Sequence, residues 1–230
     1  MTDVHCHVTG GDPSVREFLI GRDFIGIHPW EADKCSNVRM FECSNAELRE
    51  RLVADPRLGV GEIGLDRLRT REISQMMREA FEAQLKLAFE FNRPVVLHGA
   101  KCWGQVVKTV QRLTFEHSSN PNIRTFSPLL FHGFSRSDGL IPDIVALNGY
   151  ISVGPAVLND HAVNYRELVR KIPPDRLLVE TDRTVENAAD CPSVAEVAAE
   201  VAKLRGMSFA ELEAMTDRNA DAFICYNTPK

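Results

Sequence analysis

Residues 73–98, ISQMMREAFEAQLKLAFEFNRPVVLH, contain the unit that decides the fold. Apolar residues recur there at helical spacing and give the segment one buried face: Ile73, Met76, Met77, Ala80, Phe81 and Ala88. The helix is predicted to stop at Asn92-Arg93-Pro94, because proline cannot continue it. The apolar run that follows, Val95–His98, is short enough to be a buried strand, and a similar run precedes the helix at Leu58–Ile63. This part of the chain therefore has the order strand, helix, strand.

The same alternation extends along the whole chain. The remaining predicted strands are Asp3–Val8, Phe24–His28, Leu129–His132, Tyr150–Val153 and Leu177–Thr181. Three helix starts carry the Ser-x-x-Glu capping pattern, at Ser44, Ser193 and Ser208. Alternating strands and helices imply an α/β fold with a parallel sheet, either closed as a (β/α) barrel or open and doubly wound. Because no Pro- or Gly-rich linker divides it, residues 1–230 are predicted to form one domain.

Composition and charge narrow the functional classes. The chain is 44% hydrophobic and 26% charged, which is ordinary for a globular protein, and no apolar run is long enough to predict a membrane span. The opening MTDVHCHV lacks the features of an export signal, and six cysteines without a Cys-x-x-Cys pair suggest reduced thiols. These features predict a cytoplasmic protein. The net charge of −5 means that binding of DNA would need a local basic patch or metal ions.

Imidazoles and carboxylates stand at the ends of the predicted strands. Six of them are singled out by this position: His5, His7, Glu62, His98, His132 and Asp182. His5 and His7 are two residues apart, so both side chains leave the same face of their strand. In parallel β/α folds the active site lies at the carboxyl edge of the strands. Nitrogen and carboxylate ligands gathered there suit Zn²⁺, Mn²⁺ or Mg²⁺, so the sequence predicts a divalent metal site.

Other interpretations of these residues compete with metal binding. A single histidine at a strand end is more often a hydrogen-bonded core or surface residue. Six buried imidazoles and carboxylates without partners would each cost several kcal/mol, and a shared metal is the simplest way to satisfy them. His28, at the end of the run GIH, either fixes the turn before Pro29 or contacts the substrate.

The motifs together resemble the TatD family of metal-dependent deoxyribonucleases, a branch of the amidohydrolase-like barrels. The resemblance runs in order through DVHCHV, GIHPW, GVGEIGLD, PVVLH, LFHGFS, YISVG, LLVETD and TDRNADAF. It implies a distorted TIM-type (β/α) barrel. Only seven strands are clear in this sequence, because Thr9–Asp23 is too short for the β/α unit that the family normally has there.

The resemblance also implies two divalent metal ions, of Zn, Mg or Mn, and assigns their ligands. One ion would be held by His5, His7, Glu62 and Asp182, and Glu62 would bridge it to a second ion completed by His98 and His132. Two catalytic roles follow from this arrangement. Asp182 would accept a proton from the attacking water, while Glu62 would serve mainly as the bridge.

Substrate contacts are predicted from residues near these motifs. Lys101, Arg136 and His28 could bind phosphate oxygens, with Lys101 replacing an arginine that many family members carry two residues after the fourth-strand histidine. Trp30 and Trp103 could stack on a base, as aromatic platforms do in proteins that bind single strands, or could pack over the barrel rim.

The predicted function is hydrolysis of DNA phosphodiesters, with trimming of single-stranded DNA from 3′ ends. The alternatives are a metal-dependent amide, ester or lactone hydrolase that uses the same site, and an inactive metal-binding scaffold.

Overall fold

The computed structural model describes residues 1–34, 38–118 and 127–224, with residues 38–44 and 118 described by their backbone alone. Eight strands form within these residues: β1 (Thr2–Cys6), β2 (Arg16–Leu19), β3 (Phe24–Ile25), β4 (Gly59–Asp66), β5 (Val95–Ala100), β6 (Leu129–Phe131), β7 (Gly149–Val153) and β8 (Leu177–Val179). All of their pairings are parallel. The seven predicted strands are all present, and β2 is an eighth that the sequence analysis did not predict.

Helices connect most of these strands. They are α1 (Pro29–Ala32), α2 (Val38–Ala54), α3 (Gln75–Glu90), α4 (Trp103–Ser118), α5 (Ile141–Ala146), α6 (Val163–Lys171), α7 (Val194–Arg205) and α8 (Phe209–Ile224). Short 3₁₀ turns lie at Asp138–Leu140, Pro155–Leu158 and Pro174–Arg176. The predicted caps at Ser193 and Ser208 are confirmed, since their hydroxyls accept the backbone N–H of Glu196 and Glu211. The cap predicted at Ser44 is wrong, because α2 begins at Val38 and Ser44 lies inside the helix.

The strands close into a ring. Strands β3 to β8 form one sheet in chain order, and β1 pairs with β2 in a separate ladder. The Asp182 N–H donates to the carbonyl of His5 at 3.0 Å and so joins the end of β8 to β1. On the other side, an isolated bridge between Ile20 and Phe24 joins β2 to β3. The fold is therefore a distorted TIM-type barrel and not an open, doubly wound sheet.

The link between β1 and β2 explains the distortion. It consists of residues 7–15 and contains no helix, as the length of Thr9–Asp23 predicted. The Glu17 carboxylate accepts hydrogen bonds from the Gly10 N–H at 2.6 Å and the Thr9 hydroxyl at 2.5 Å, and these bonds hold the short link against β2. Among the four residues of β2 only Phe18 is buried, so its sequence lacked the apolar run that marked the other strands.

Side chains inside the barrel form two layers. The layer nearer the strand starts is apolar and consists of Val4, Phe18, Phe24, Val96, Leu130, Tyr150 and Leu178. Phe223 of α8 closes this end, with its ring centroid 5.8 Å from that of Phe24 and 5.9 Å from that of Tyr150. Because alternate residues of a strand face the same side, positions two residues further also point inward. Those positions include His98, His132, Ser152 and Glu180, so the layer nearer the carboxyl ends is polar.

Two further expectations concern the state of the cysteine thiols and the presence of membrane-spanning helices. Cys6, Cys102 and Cys191 are free thiols, as predicted, whereas the side chains of Cys35, Cys43 and Cys225 lie outside the described residues. Among the helices of the described ranges, none has the length and apolar character needed to cross a membrane.

Candidate metal centre

The six predicted ligands lie together at the carboxyl ends of the strands. His5 belongs to β1 and His7 follows it, Glu62 and His98 lie in β4 and β5, and His132 and Asp182 follow β6 and β8. Five strand ends far apart in sequence thus deliver their imidazoles and carboxylates to one edge of the barrel.

Glu62 is the centre of this cluster. Its Oε1 lies 2.5 Å from His98 Nδ1 and 2.6 Å from His132 Nε2. Its Oε2 lies 3.5 Å from His5 Nε2 and 3.3 Å from His7 Nε2. Each carboxylate oxygen therefore faces a different pair of imidazoles, which is the arrangement that a bridging ligand between two ions needs.

Asp182 occupies the open side of the cluster. Its Oδ1 lies 3.5 Å from His5 Nε2 and 3.7 Å from His7 Nε2, and 49% of its side chain is exposed. Its φ of 48° is in the left-handed region, which a non-glycine residue adopts only where the surrounding structure imposes it. Burial would raise the pKa of Asp182, but the nearby His5 ring and the positive charge of the histidines hold that pKa below its usual value.

The buried imidazoles fit a divalent ion. Within the described residues, neither ring nitrogen of His5 has a hydrogen-bond partner, although both are buried. An unpaired buried polar group costs about 1–3 kcal/mol, so these nitrogens call for a ligand. Three groups have donor atoms within 4.8 Å of one another: His5 with His132 and Asp182, His5 with His7 and Glu62, and His28 with Glu62 and His98. Imidazole nitrogens with carboxylate oxygens are donors that bind divalent metals of the zinc and manganese type.

His28 has a position that the sequence analysis foresaw only in part. Its Nδ1 accepts the Trp30 N–H at 3.2 Å and caps α1, which fits the predicted role in the turn. Its Nε2, however, lies 3.5 Å from Glu62 Oε1, within the third group of donor atoms. The predicted strand Phe24–His28 already placed His28 at a strand end like the other histidines, but a donor role beside Glu62 was not predicted.

Asp66 supports the outer side of the cluster and was not singled out from the sequence. Its Oδ2 is 3.0 Å from His98 Nε2 and accepts the indole N–H of Trp30 at 2.8 Å. Its Oδ1 accepts the backbone N–H groups of Leu68 and Arg69 at 2.6 and 2.7 Å. Burial would raise the pKa of Asp66, yet these hydrogen bonds hold it well below its usual range. A carboxylate behind a ligating histidine fixes the orientation and tautomer of its ring.

Two further buried carboxylates support the inner side. Glu180 accepts the hydroxyl of Ser152, and its Oε1 lies 3.7 Å from His132 Nδ1. Asp3 accepts the hydroxyl of Thr181 at 2.6 Å and its N–H at 3.0 Å. Burial raises the pKa of Asp3 to about 7 despite these hydrogen bonds.

The protonation of the cluster is set by its own charges. Burial would raise the pKa of Glu62, but the charge of His132 and hydrogen bonds from His132 and His28 hold it well below its usual range. Burial lowers the pKa of His132, but the negative charges of Glu62 and Glu180 and the contacts of the ring with both carboxylates together raise that pKa well above normal. Glu62 is therefore an anion that pairs with protonated imidazoles. A metal cation bound between these groups can take the place of the protons.

Two open clefts of about 1090 and 1000 Å³ meet at Asp182. Lys101 lines the second cleft and Arg136 lines both, and each is exposed. Both have left-handed backbones, with φ of 56° and 58°. These two cations therefore stand beside the cluster, where a bound phosphate would lie.

The two tryptophans have different surroundings. Trp103 is 5% exposed and packs on Phe131 and Phe134, with ring centroids 5.7 and 5.3 Å away. It also lies so close over Gly99 that a Cβ there would clash with its ring. The prediction that Trp103 stacks on a base is therefore wrong, because the ring is committed to the core. Trp30 remains half exposed next to His28, with the Arg69 guanidinium 4.2 Å from its ring centroid.

The sequence as a whole matches one protein-family model. The model of the TatD related DNases matches residues 21–224, which is most of the chain. The chain belongs to the TatD family. As a TatD protein it is a metal-dependent hydrolase that acts on ester bonds.

Curated relatives of this TatD protein are distant. It is 29% identical over 203 residues to an uncharacterized metal-dependent hydrolase of Bacillus subtilis, covering 85% of this chain and 74% of that one. It is 27% identical over 208 residues to a protein of Pantoea vagans named 3′-5′ ssDNA/RNA exonuclease TatD, with the same coverage of 85% and 74%.

Solved structures support the barrel. The TatD homologue YjjV of Escherichia coli superposes with a TM-score of 0.73 at 24% identity, covering 95% of this chain and 79% of that one. An uncharacterized amidohydrolase of Saccharomyces cerevisiae superposes with a TM-score of 0.70 at 17% identity, covering 91% and 80%. At these identities the likeness establishes the fold of this TatD protein and not its substrate.

Proposed function

We propose that this protein is an exonuclease that uses two divalent metal ions to remove nucleotides from the 3′ ends of single-stranded DNA. The observation that carries the proposal is the position of Glu62, whose two carboxylate oxygens face separate pairs of imidazoles. The name of the Pantoea vagans relative supports the choice of substrate and direction.

The six side chains would divide between the two ions. His5, His7, Glu62 and Asp182 would hold the first, and Glu62, His98 and His132 would hold the second. His28 is near enough to Glu62 Oε1 to add a donor on the second side. Bound at these positions, divalent ions would lower the pKa of a coordinated water and neutralise charge on the phosphoryl oxygens.

The protein's own residues would supply the proton transfer and the positioning. Asp182 is half exposed and ionised, so it can accept the proton of the attacking water at the mouth of both clefts. Lys101 and Arg136 line the space next to it and would bind the phosphate oxygens. The exposed part of Trp30 would offer a base a face to stack on.

The test is the activity of an Asp182→Asn variant on single-stranded DNA labelled at either end, with Mg²⁺, Mn²⁺ or Zn²⁺ added. Wild type should release labelled mononucleotides at once from a 3′ label and only late from a 5′ label. The variant should be slower by about 10²–10⁴-fold, since it lacks the proton acceptor. Asp175→Asn is the matched control, because Asp175 is exposed in the turn that precedes β8, at the far end of the barrel.

Each contrary result identifies a different error. Equal rates for wild type and Asp182→Asn would remove Asp182 as the proton acceptor. No cleavage of DNA by wild type, together with turnover of an ester or lactone panel, would support the amidohydrolase-type alternative. A purified protein that neither contains nor binds divalent ions would support the inactive scaffold.

A further inference from the structure

The loop between β4 and α3 carries an excess of positive charge on a chain whose net charge is −5. Residues 67–72, RLRTRE, are called here the arginine loop. Its three arginines, Arg67, Arg69 and Arg71, are all exposed, and Glu72 is its one carboxylate. Within the described ranges none of the three arginines is in an ion pair. Their charges are therefore available to an anionic ligand.

The arginine loop is fixed to the metal centre at its first residues. The Arg67 N–H donates to the carbonyl of Ala100 at 2.9 Å and continues the ladder between β4 and β5. The Asp66 carboxylate accepts the N–H of Arg69 at 2.7 Å, and the Thr70 hydroxyl donates to the Asp66 carbonyl at 2.5 Å. Because the same carboxylate contacts a predicted metal ligand, the backbone of both arginines is held at a set position beside the cluster.

The Arg69 side chain is held by an aromatic ring next to the cluster. Its guanidinium lies 4.2 Å from the ring centroid of Trp30, which is a cation–π contact. The Trp30 ring is in turn 4.5 Å from the ring of His28 and 6.2 Å from that of His98. A guanidinium that stacks on a ring keeps N–H groups at its edge, and these can bind two oxygens of one phosphate.

The Arg67 side chain lines the cleft beside α4. Lys101, Lys108 and Arg136 line the same cleft, and all four cations are exposed. Among the described residues of this lining, Asp182 is the one carboxylate, and it is a predicted metal ligand. None of the four cations is in an ion pair within the described part of the chain. Positive charge thus continues from the arginine loop to the metal centre.

We propose that the arginine loop binds the retained part of the DNA strand beside the metal centre. Arg67 contacts a phosphate in the cleft beside α4. Arg69 contacts the phosphate of the nucleotide whose base stacks on the exposed part of Trp30. The inference rests on the proposed exonuclease function and adds to it the element that holds the strand, which is the local basic patch that a chain of negative net charge needs.

The first test counts phosphate contacts without any hydrolysis. Fluorescence anisotropy of a labelled single-stranded oligonucleotide is recorded against salt concentration in EDTA. In Arg67→Ala/Arg69→Ala the slope of log K against log salt should become shallower by about 1.4, since each phosphate contact on a single strand contributes about 0.7. Arg51→Ala/Arg218→Ala is the matched control. It removes the same charge from exposed positions on α2 and α8, outside both clefts, and its slope should equal that of wild type.

Three results would overturn the inference even if wild type trims DNA: an unchanged slope in Arg67→Ala/Arg69→Ala, an equal loss of slope in the control, and no binding by wild type at low salt. An equal loss in the control would mean that net charge, and not the arginine loop, accounts for binding. The expected slopes in a protein that releases no nucleotides would instead sink the proposed function and leave the arginine loop as a binding surface. The two failures are therefore distinguishable.

The second test concerns the contact between Arg69 and Trp30. Arg69→Lys keeps the charge but lacks the planar group that stacks on the indole and binds a phosphate through two N–H groups. Its salt slope should stay near that of wild type, while its affinity at fixed salt should fall about two- to tenfold, because a freer side chain loses more entropy on binding. Arg218→Lys is the control and should bind as wild type does. If Arg69→Lys binds as tightly as wild type, the assignment of a phosphate to the stacked Arg69 is wrong.

Discussion

Replacing Asp66 by Asn tests how far the metal centre depends on a residue that would touch no ion. Four donors converge on its carboxylate: His98 Nε2 at 3.0 Å, the Trp30 indole N–H at 2.8 Å, and the N–H groups of Leu68 and Arg69 at 2.6 and 2.7 Å. An amide of the same shape has one oxygen and one NH₂ group. Whichever way it turns, its NH₂ group faces two donors that lose their acceptor.

The size of the effect follows from those contacts. Each buried donor without an acceptor costs about 1–3 kcal/mol, and Trp30 is half exposed, so the total should be about 2 kcal/mol. For a chain of this length that corresponds to a fall in Tm of roughly 4–8 °C. Loss of the carboxylate behind His98 should also weaken metal binding by about 10–100-fold, because the ring is no longer held in one orientation.

Calorimetric metal titration and thermal unfolding of the EDTA-treated protein measure the two effects separately. Trp30→Phe is the matched comparison, since it removes one donor to Asp66 and leaves the contact with His98 in place. It should lower Tm less than Asp66→Asn and should leave metal affinity near that of wild type. If Asp66→Asn binds metal as tightly as wild type, the orienting role of Asp66 is refuted, whatever happens to Tm.

Two further predictions concern the barrel itself. Phe223→Ala should lower the free energy of unfolding by about 3–5 kcal/mol in a denaturant titration, because the ring is fully buried against Phe24 and Tyr150. A loss below 1 kcal/mol would mean that α8 does not close the barrel as described. Asp3→Asn should change the pH dependence of stability in EDTA-treated protein. The folded pKa of Asp3 is raised to about 7, above its unfolded value, so the unfolded state loses its proton first and wild type becomes less stable as pH rises from about 4 to about 7. The Asn variant cannot ionise, so its Tm relative to wild type should be higher at pH 8 than at pH 4. Parallel Tm curves for the two proteins would contradict this sign.

The metal centre was predictable because each ligand can be recognised from its own residue type and its own position in the sequence. A histidine or carboxylate that ends an apolar run is conspicuous, and parallel strands bring their carboxyl ends to one edge. That argument placed Glu62 beside His98 and His132 although more than thirty residues separate it from each.

The residues behind the ligands could not be found in that way. Asp66 and Glu180 have roles only through the histidines that they contact. Those contacts depend on which side chains of each strand face inward. The signal that was available is the two-residue alternation within a strand, since Glu180 lies two positions after the inward Leu178. Trp103 was misassigned because Gly99, which has no side chain, lets the indole ring lie against β5. The spacing of the sequence motifs does not reveal this close contact.

The exposure of the cluster argues that the substrate enters from the side of Asp182. The fraction of exposed side chain rises from none for His5 and 3% for Glu62 to 32% for His7 and 49% for Asp182. The two exposed residues border the link between β1 and β2, where the His7 N–H donates to the carbonyl of Arg183 and no helix covers the edge. Since both clefts end at Asp182, the shortened link and the clefts open the same side of the centre. The missing helix therefore affects the approach of substrate and leaves Glu62 and its imidazoles enclosed within the barrel.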